Sequence, residues 1–329
     1  MRLHRTRNLL CAAFGAALLA STLIAPAAAQ QAYPTKPIRL VVGFAPGGLT
    51  DVYARLFASH LQTKYGQPVV VDNKPGAATI VGTQIVAKAP PDGYTLCFCV
   101  TNVTTNQFFR TELPYKVEEL TPIALGFRST TVLIVPGDSP FQTVRDLVDF
   151  AKKNPGKLNY STTGSGGATH LVGELFNSVA GIQTVPVPYK GAAPATMAVG
   201  TKEVQYAFSA IATAKPLLQD KRVRALAVAE EVRVPAVADV PTMAEAGYNG
   251  VATGVWYGLM APTGTPRPII DLLNQEMNAF FTSKPIVEKL VAGGERPLGN
   301  ATPQQMADYI ARDTEVMRKI IQPLNLKLE

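Results

Sequence analysis

The sequence predicts an α/β protein built from two similar units, on three observations. Strand-like β-branched runs alternate with segments of helical spacing along most of the 329 residues. The alternation restarts once, after Thr130. A glycine turn, Gly47-Gly48-Leu49-Thr50, returns as Gly166-Gly167-Ala168-Thr169, with Leu-Phe six and seven positions after each threonine. Alternation of this kind implies parallel sheets with helices on both faces.

Element by element, Ile38 to Phe44 reads as a strand that ends at Ala45-Pro46-Gly47-Gly48. The segment from Asp51 then places Tyr53, Leu56, Phe57 and Leu61 on one helical face until Gly66 stops it. "PVVVDN" is a short strand, Lys74 to Ala89 a glycine-rich loop and helix, and Tyr94 to Val100 a strand that opens into the polar loop "TNVTTN". In the second unit "TVLIVP" is a strand, Val144 to Lys153 a helix closed by Asn154-Pro155-Gly156, and "KLNYS" a strand leading into the second glycine turn. Helix, "TVPVPY", helix, "VQYAFS", helix and "VRALAVA" follow. "WYGLMAP" is a further strand, and amphipathic helices run from Pro268 and pack back on the first unit. The expected division is residues 30–128 plus 252–329 for one domain and 129–251 for the other.

Residues 1–29 are set apart. Arg2, Arg5 and Arg7 precede an apolar run from Leu9 to Ile24, and Ala27-Ala28-Ala29 offers small residues for cleavage before Gln30, the pattern of a secretory signal peptide. The run is shorter than the roughly 20 apolar residues of a membrane span. Removing it takes away three arginines and no acids, so the net charge falls from +7 to +4. A mildly basic chain with no lysine-arginine block among aromatics gives no nucleic-acid footprint. Cys97 and Cys99, two apart on one strand, point to the same face. A bridge there would strain disulfide geometry, so both are expected as buried thiols. His60 and His170 are too few for a zinc site of about four ligands.

In an open α/β sheet, ligands bind beyond the carboxyl ends of the strands, where both glycine turns fall. Glycine lets backbone NH groups approach a ligand. The first turn of the helix that follows leaves NH groups without partners at a positive dipole end, so the expected guest is an anion. Thr50 and Thr169 either cap their helices or donate to a bound oxygen, and Thr162, Thr163 and Ser165 add donors. Neither turn holds arginine or lysine. Enzyme motifs fit poorly: Thr163 stands two before Ser165, where a nucleophile elbow has glycine, Thr169 ends a would-be Gly-x-Gly-x-x-Gly, and no Walker lysine follows. Ser165 with His170 as nucleophile and base is the remaining catalytic alternative. Asp51 is a second candidate base, though an aspartate in a helix first turn is normally explained by the dipole.

The stretches "YPTKPIRLVVGFAPGGLTD", "GQPVVVDNKPGA", "APPDGYTL", "LNYSTTGSGGATHL", "VPYKGAAPA", "VRALAVA", "VPTMAEAGY" and "WYGLMAPTGTP", in this order, resemble the Bug-type periplasmic solute receptors of tripartite tricarboxylate transporters. The resemblance implies a two-domain periplasmic-binding-protein fold, type II-like, with two Rossmann-like lobes closing on a small carboxylate and no cofactor. It implies that the loops gripping the carboxylate are Phe44, Pro46, Gly47, Gly48, Leu49, Thr50 and Asp51 on one side. On the other are Thr163, Ser165, Gly166, Gly167, Ala168, Thr169 and His170. Asn102, Tyr189 and Ser209 complete the expected ligand-binding set, with Lys190 at the rim and no catalytic or metal-binding residue. Trp256 is expected in core or hinge packing.

Two departures bear on the ligand. Ala78-Thr79-Ile80 stands where the family often has Gly-Gly-Asn, and Ser209-Ala210-Ile211-Ala212 where many members have an aspartate. Losing an acidic partner for an ammonium group predicts an amine-free carboxylate, with an aromatic acid or a dicarboxylate as the candidate forms. The expected protein is a periplasmic monomer that delivers its ligand to membrane permease subunits. An adaptor for a sensor protein is the alternative.

Overall fold

The computed structural model describes residues 33–110, 112–230, 232–251 and 254–322. The expected signal peptide lies outside the described residues. The described residues from Lys36 on belong to one compact unit, in which two mixed sheets make two lobes.

The first sheet has six strands in the order β11-β4-β10-β3-β1-β2: β1 (Ile38–Val42), β2 (Val69–Asn73), β3 (Thr95–Val100), β4 (Leu120–Ser129), β10 (Val255–Pro262) and β11 (Arg296–Pro297). The second has five, β7-β6-β8-β5-β9: β5 (Thr131–Pro136), β6 (Asn159–Thr162), β7 (Val185–Pro188), β8 (Tyr206–Ala210) and β9 (Val223–Val228). The all-parallel expectation is corrected. β10 runs antiparallel to β3 and β4, and β5 antiparallel to β8 and β9. These are the strands on which the chain changes sheets, from β4 to β5 at Thr130 and from β9 to β10. The Thr130 hydroxyl lies 3.4 Å from Glu230 Oε1, tying the two crossings together.

The helices are α1 (Leu49–Tyr65), α2 (Ile80–Ala87), α3 (Asn102–Thr105), α4 (Val144–Lys153), α5 (Ala168–Ala180), α6 (Ala192–Gly200), α7 (Ile211–Gln219), α8 (Arg267–Thr282), α9 (Lys284–Gly293) and α10 (Pro303–Ile321). α4 begins with a reciprocal cap, Thr143 Oγ1 accepting from Asp146 N and Asp146 Oδ2 from Thr143 N, which fixes its start where the sequence placed it. α1 ends at Gly66, φ 69°, whose NH donates to Gln62 O.

The polar run after β3 is helix rather than loop. Asn102, Thr104, Thr105 and Asn106 are all buried, because their side chains bond the backbone: both threonine hydroxyls donate to Thr101 O, and Asn106 Nδ2 donates to Ala78 O at 3.0 Å. Cys97 and Cys99 are free and buried. Trp256 is fully buried, its Nε1 donating to Asp313 at 3.1 Å. Apolar side chains fill both faces of the second sheet, Tyr160, Phe176 and Phe208 on one and Val199, Ile211 and Val228 on the other.

Candidate functional site: a cavity between the lobes

The repeated turn folds twice in the same way. Gly47 and Gly166 both take the left-handed conformation, φ 92° and 81°, that a side chain would oppose. Gly48 and Gly167 follow as N-caps of α1 and α5 with nearly identical dihedrals, −81°/171° and −75°/170°. Each left-handed glycine then donates its NH to the side chain four residues on: Gly47 N to Asp51 Oδ2 at 3.0 Å, Gly166 N to His170 Nδ1 at 2.9 Å. Asp51 and His170 are therefore equivalent pins that set the angle of their turns.

The chemistry of both pins follows from that role. Burial opposes ionisation of Asp51, but hydrogen bonds from Arg55, Gly47 and Asn73 outweigh it and hold the carboxyl below its usual range. Burial lowers the His170 pKa against a weaker pull from Glu174, and an Nδ1 that accepts from an amide is unprotonated. The other ring nitrogen lies 3.9 Å from Glu174. His170 Nδ1 is thus already engaged and is not free to take a proton from Ser165.

Between the turns lies a cavity of about 50 Å³, lined among others by Phe44, Gly48, Leu49, Thr50 and Asn102 of the first lobe and Thr163, Ala168, Thr169, Thr196 and Ser209 of the second. A space of this size takes a few waters or one small polar head group. None of its lining residues is ionisable except Tyr257, and burial raises that hydroxyl's pKa, so it stays neutral. The polar lining is otherwise amide and hydroxyl.

Backbone donors reach it from several helices at once. α1 makes its first intrahelical bond from Val52 N to Gly48 O and α5 from Leu171 N to Gly167 O, which leaves the NH groups of the preceding turn without helical partners. α6 adds Ala192 and Ala195, with Gly191 at φ 144°. That φ explains the glycine, since a side chain rarely adopts it. Neither Thr50 nor Thr169 caps its helix, since Gly48 and Gly167 occupy the cap positions. Thr169 Oγ1 instead accepts from Thr163 N at 2.8 Å and lies 3.0 Å from Thr163 Oγ1. Thr131 Oγ1 is buried in the wall with no hydrogen-bond partner, a donor waiting for an acceptor.

Among the described residues, direct bonds join the lobes. Ala45 N donates to Lys190 O at 2.8 Å, Ala168 N to Asn102 Oδ1 at 3.3 Å, and Lys215 Nζ to Ala292 O at 2.8 Å. The conformation is closed. Asn102 is central to it, because its Nδ2 also donates to Ala78 O at 3.3 Å.

Of the residues singled out from sequence, Phe44, Gly48, Leu49, Thr50, Asn102, Thr163, Ala168, Thr169 and Ser209 line the cavity. Pro46, Gly47, Asp51, Ser165, Gly166, Gly167, His170 and Tyr189 do not. Gly47, Asp51, Gly166 and His170 shape the turns. Gly167 packs on Asn102, and Ser165 and Tyr189 line a neighbouring chamber. Ser129, Thr131, Thr196 and Tyr257 also line the cavity, and sequence reasoning missed them. The first two flank the crossing at Thr130, Tyr257 comes from β10, and Thr196 pairs with Ser209 at 2.7 Å. A polar pair flanking the β4–β5 crossing was the one available signal.

Among the described residues no group of three or more histidine, cysteine, aspartate or glutamate side chains is placed to hold a metal, and no helix is long and apolar enough to cross a membrane.

Comparison with known proteins gives a consistent picture. The profile described as the tripartite tricarboxylate transporter family receptor matches residues 53–326. The periplasmic binding protein BugD is 31% identical, with a TM-score of 0.85 over 90% of this chain and 100% of its own. An R. palustris protein solved with adipate is 34% identical, with a TM-score of 0.84 over 88% and 98% of the two chains. MatC from Rhodopseudomonas palustris, with bound malate, is 28% identical, with a TM-score of 0.82 over 88% and 100%. The two lobes form the periplasmic-binding-protein fold. With the family profile matched over most of its length, the chain belongs to the TctC family of tripartite tricarboxylate transporter receptors.

Proposed function

We propose that this receptor captures a small, amine-free carboxylate in the cavity between its lobes and delivers it, as a periplasmic monomer, to a tripartite tricarboxylate permease. One observation carries the reading: helix N-termini and hydroxyls from both lobes converge on a cavity whose walls hold no carboxylate, lysine or arginine. Such a site favours an anion through amide dipoles. It offers an ammonium group no anionic partner.

The relatives solved with adipate and with malate support a carboxylate ligand. Each charge-assisted bond contributes about 1.5–3 kcal/mol, so several give micromolar affinity, about 8 kcal/mol, after the entropic cost of association. Capture at that strength is reversible, as delivery requires. Because donors come from both lobes, a bound carboxylate favours the closed state over the open one, and closure is the signal a permease reads.

The test is a melting-temperature screen of the mature chain against mono-, di- and aromatic carboxylates and amino acids, followed by calorimetry on the hits. A ligand bound only by the native state raises the melting temperature. Amine-free acids should shift it. Tighter binding of aspartate or glutamate than of any amine-free acid would contradict the ligand class.

A further inference from the structure

The two turns that face the central cavity are pinned by side chains of different chemistry. In the first lobe Gly47 N donates to Asp51 Oδ2, and in the second Gly166 N donates to His170 Nδ1. Against burial, hydrogen bonds from Arg55, Gly47 and Asn73 hold the Asp51 carboxyl below its usual range, so this pin goes on accepting in mild acid. An imidazole nitrogen accepts only while it carries no proton. Once His170 is protonated, its Nδ1 and Gly166 N both present hydrogens to each other.

That one bond sets a turn with several donors on it. Gly166 and the cap residue Gly167 are buried. Ala168 and Thr169 follow at once and line the cavity, as does Thr163, whose N donates to Thr169 Oγ1. His170 itself is 4% exposed. Among the described residues, the titratable groups beside its ring are Glu174 on its own helix, 3.9 Å from Nε2, and Tyr160 on β6, whose ring centroid is 6.4 Å away and whose hydroxyl donates to Glu174 Oε1 at 2.6 Å. The first lobe presents the uncharged Phe109 ring at 6.4 Å, backed by Met317 and Ile321 of α10, while Arg110 lines the neighbouring chamber with Gly164 and Ser165. Burial holds the His170 pKa below the ordinary 6.5, against the pull of Glu174.

We propose that His170 is the positioning residue of the second lobe's anion turn and that its protonation releases the guest, so that the receptor captures carboxylates at neutral pH and lets them go in acid. This rests on the receptor reading of the central cavity and adds a regulation of that site. Protonation leaves the buried Gly166 amide without an acceptor, and the turn must move to find one. A new positive charge would by itself attract an anion. The Glu174 carboxyl 3.9 Å away offsets that attraction, so the lost bond decides the sign. Capture is therefore complete above the ordinary imidazole value and fades as pH falls through the depressed one. By linkage, a bound guest makes His170 still harder to protonate. Asp51 keeps its own turn throughout, so release begins at the second lobe.

The experiment is calorimetry of malate, adipate and benzoate from about pH 7.5 to about pH 4.5 with the wild type, His170→Asn and His170→Ala, joined to an NMR titration of the ligand-free protein. Asparagine supplies an acceptor near the place of Nδ1 that does not titrate, whereas alanine supplies none at any pH. The ratio of wild type to His170→Asn at each pH cancels the acids' own protonation, and other variants of the cavity are read against the same wild-type profile. That ratio should fall about tenfold to a hundredfold across the range. His170→Ala should bind weakly throughout, and the Gly166 amide resonance should titrate together with the His170 ring. A wild-type profile parallel to that of His170→Asn, a Gly166 amide indifferent to the ring, or a loss of affinity that merely tracks unfolding in urea overturns the pin's role alone. Failure of all three acids to bind at neutral pH counts against the carboxylate reading of the cavity, and the amide titration still decides the pin.

Discussion

Replacing Asn102 by aspartate puts a negative charge where the account requires none. The side chain is 1% exposed, and its Oδ1 lies 3.3 Å from Ala168 N, the first amide of the α5 donor array. A guest carboxylate on that array stands about 5 Å from the introduced one. At an effective dielectric near 20, two unit charges that far apart repel by about 3 kcal/mol, which weakens binding about 200-fold. The aspartate keeps the acceptor facing Ala168 but sets its other oxygen against Ala78 O in a buried site, so the change should also cost about 1–3 kcal/mol of stability. Burial and the guest both favour the neutral form of the introduced carboxyl, so affinity should recover as pH falls. Calorimetry at neutral and mildly acidic pH, with urea unfolding as a control, measures all three effects. Unchanged or tighter binding at neutral pH would refute the idea of an anionic guest held there.

Changing Thr50 and Thr169 together to valine removes one hydroxyl from each wall of the cavity and should weaken carboxylate binding about a hundredfold. The accompanying stability loss should be near 1 kcal/mol, because Thr169 Oγ1 accepts from Thr163 N; unaltered affinity would count against a two-walled site. Glu295, 4% exposed after α9, has its carboxyl pushed up to about 7 by burial, against the backbone NH groups of Glu295 and Ala212 and the charges of Lys215 and Lys289. A carboxyl raised on folding contributes fully below its unfolded value of 4.5 and loses that contribution as pH rises to about 7, about 3 kcal/mol in all. Glu295→Gln should therefore stabilise the protein at pH values above about 8 more than near pH 4, and an equal effect in urea unfolding at the two would show that ionisation is not the cause. Gly173→Ala places a Cβ 2.2 Å from the Tyr160 ring and should cost about 1–3 kcal/mol of stability by overpacking, whereas a neutral result would mean that this lobe's core yields more than its packing implies.

The parts legible in the sequence were those specified by neighbours in the chain. Gly47-Gly48 and Gly166-Gly167 announce left-handed turns before helices because only glycine accepts that backbone freely, and their side-chain pins lie four residues on, still within one motif. The helix at Val144 carries its own cap. By contrast, β4 escaped notice because Pro122 and Gly126 interrupt its apolar pattern, and its place is set by pairing with β10, far away in sequence. α3 looked like a loop because Asn102, Thr104, Thr105 and the following Asn106 are polar. They are buried only because Ala78 O and Thr101 O happen to lie within reach. Thr196 and Tyr257 have no local signature at all, since the cavity they share exists only once the two sheets meet.

The central claim is that neutral amides and hydroxyls from both lobes hold the ligand's carboxylate. A crystal structure with the acid that gives the largest melting shift tests it most directly. The account predicts carboxylate oxygens at about 3 Å from donors of both Leu49–Asp51 and Thr163–Thr169, with no side-chain cation touching that group. A carboxylate in the central cavity paired with lysine or arginine, or bound to one lobe alone, would contradict it.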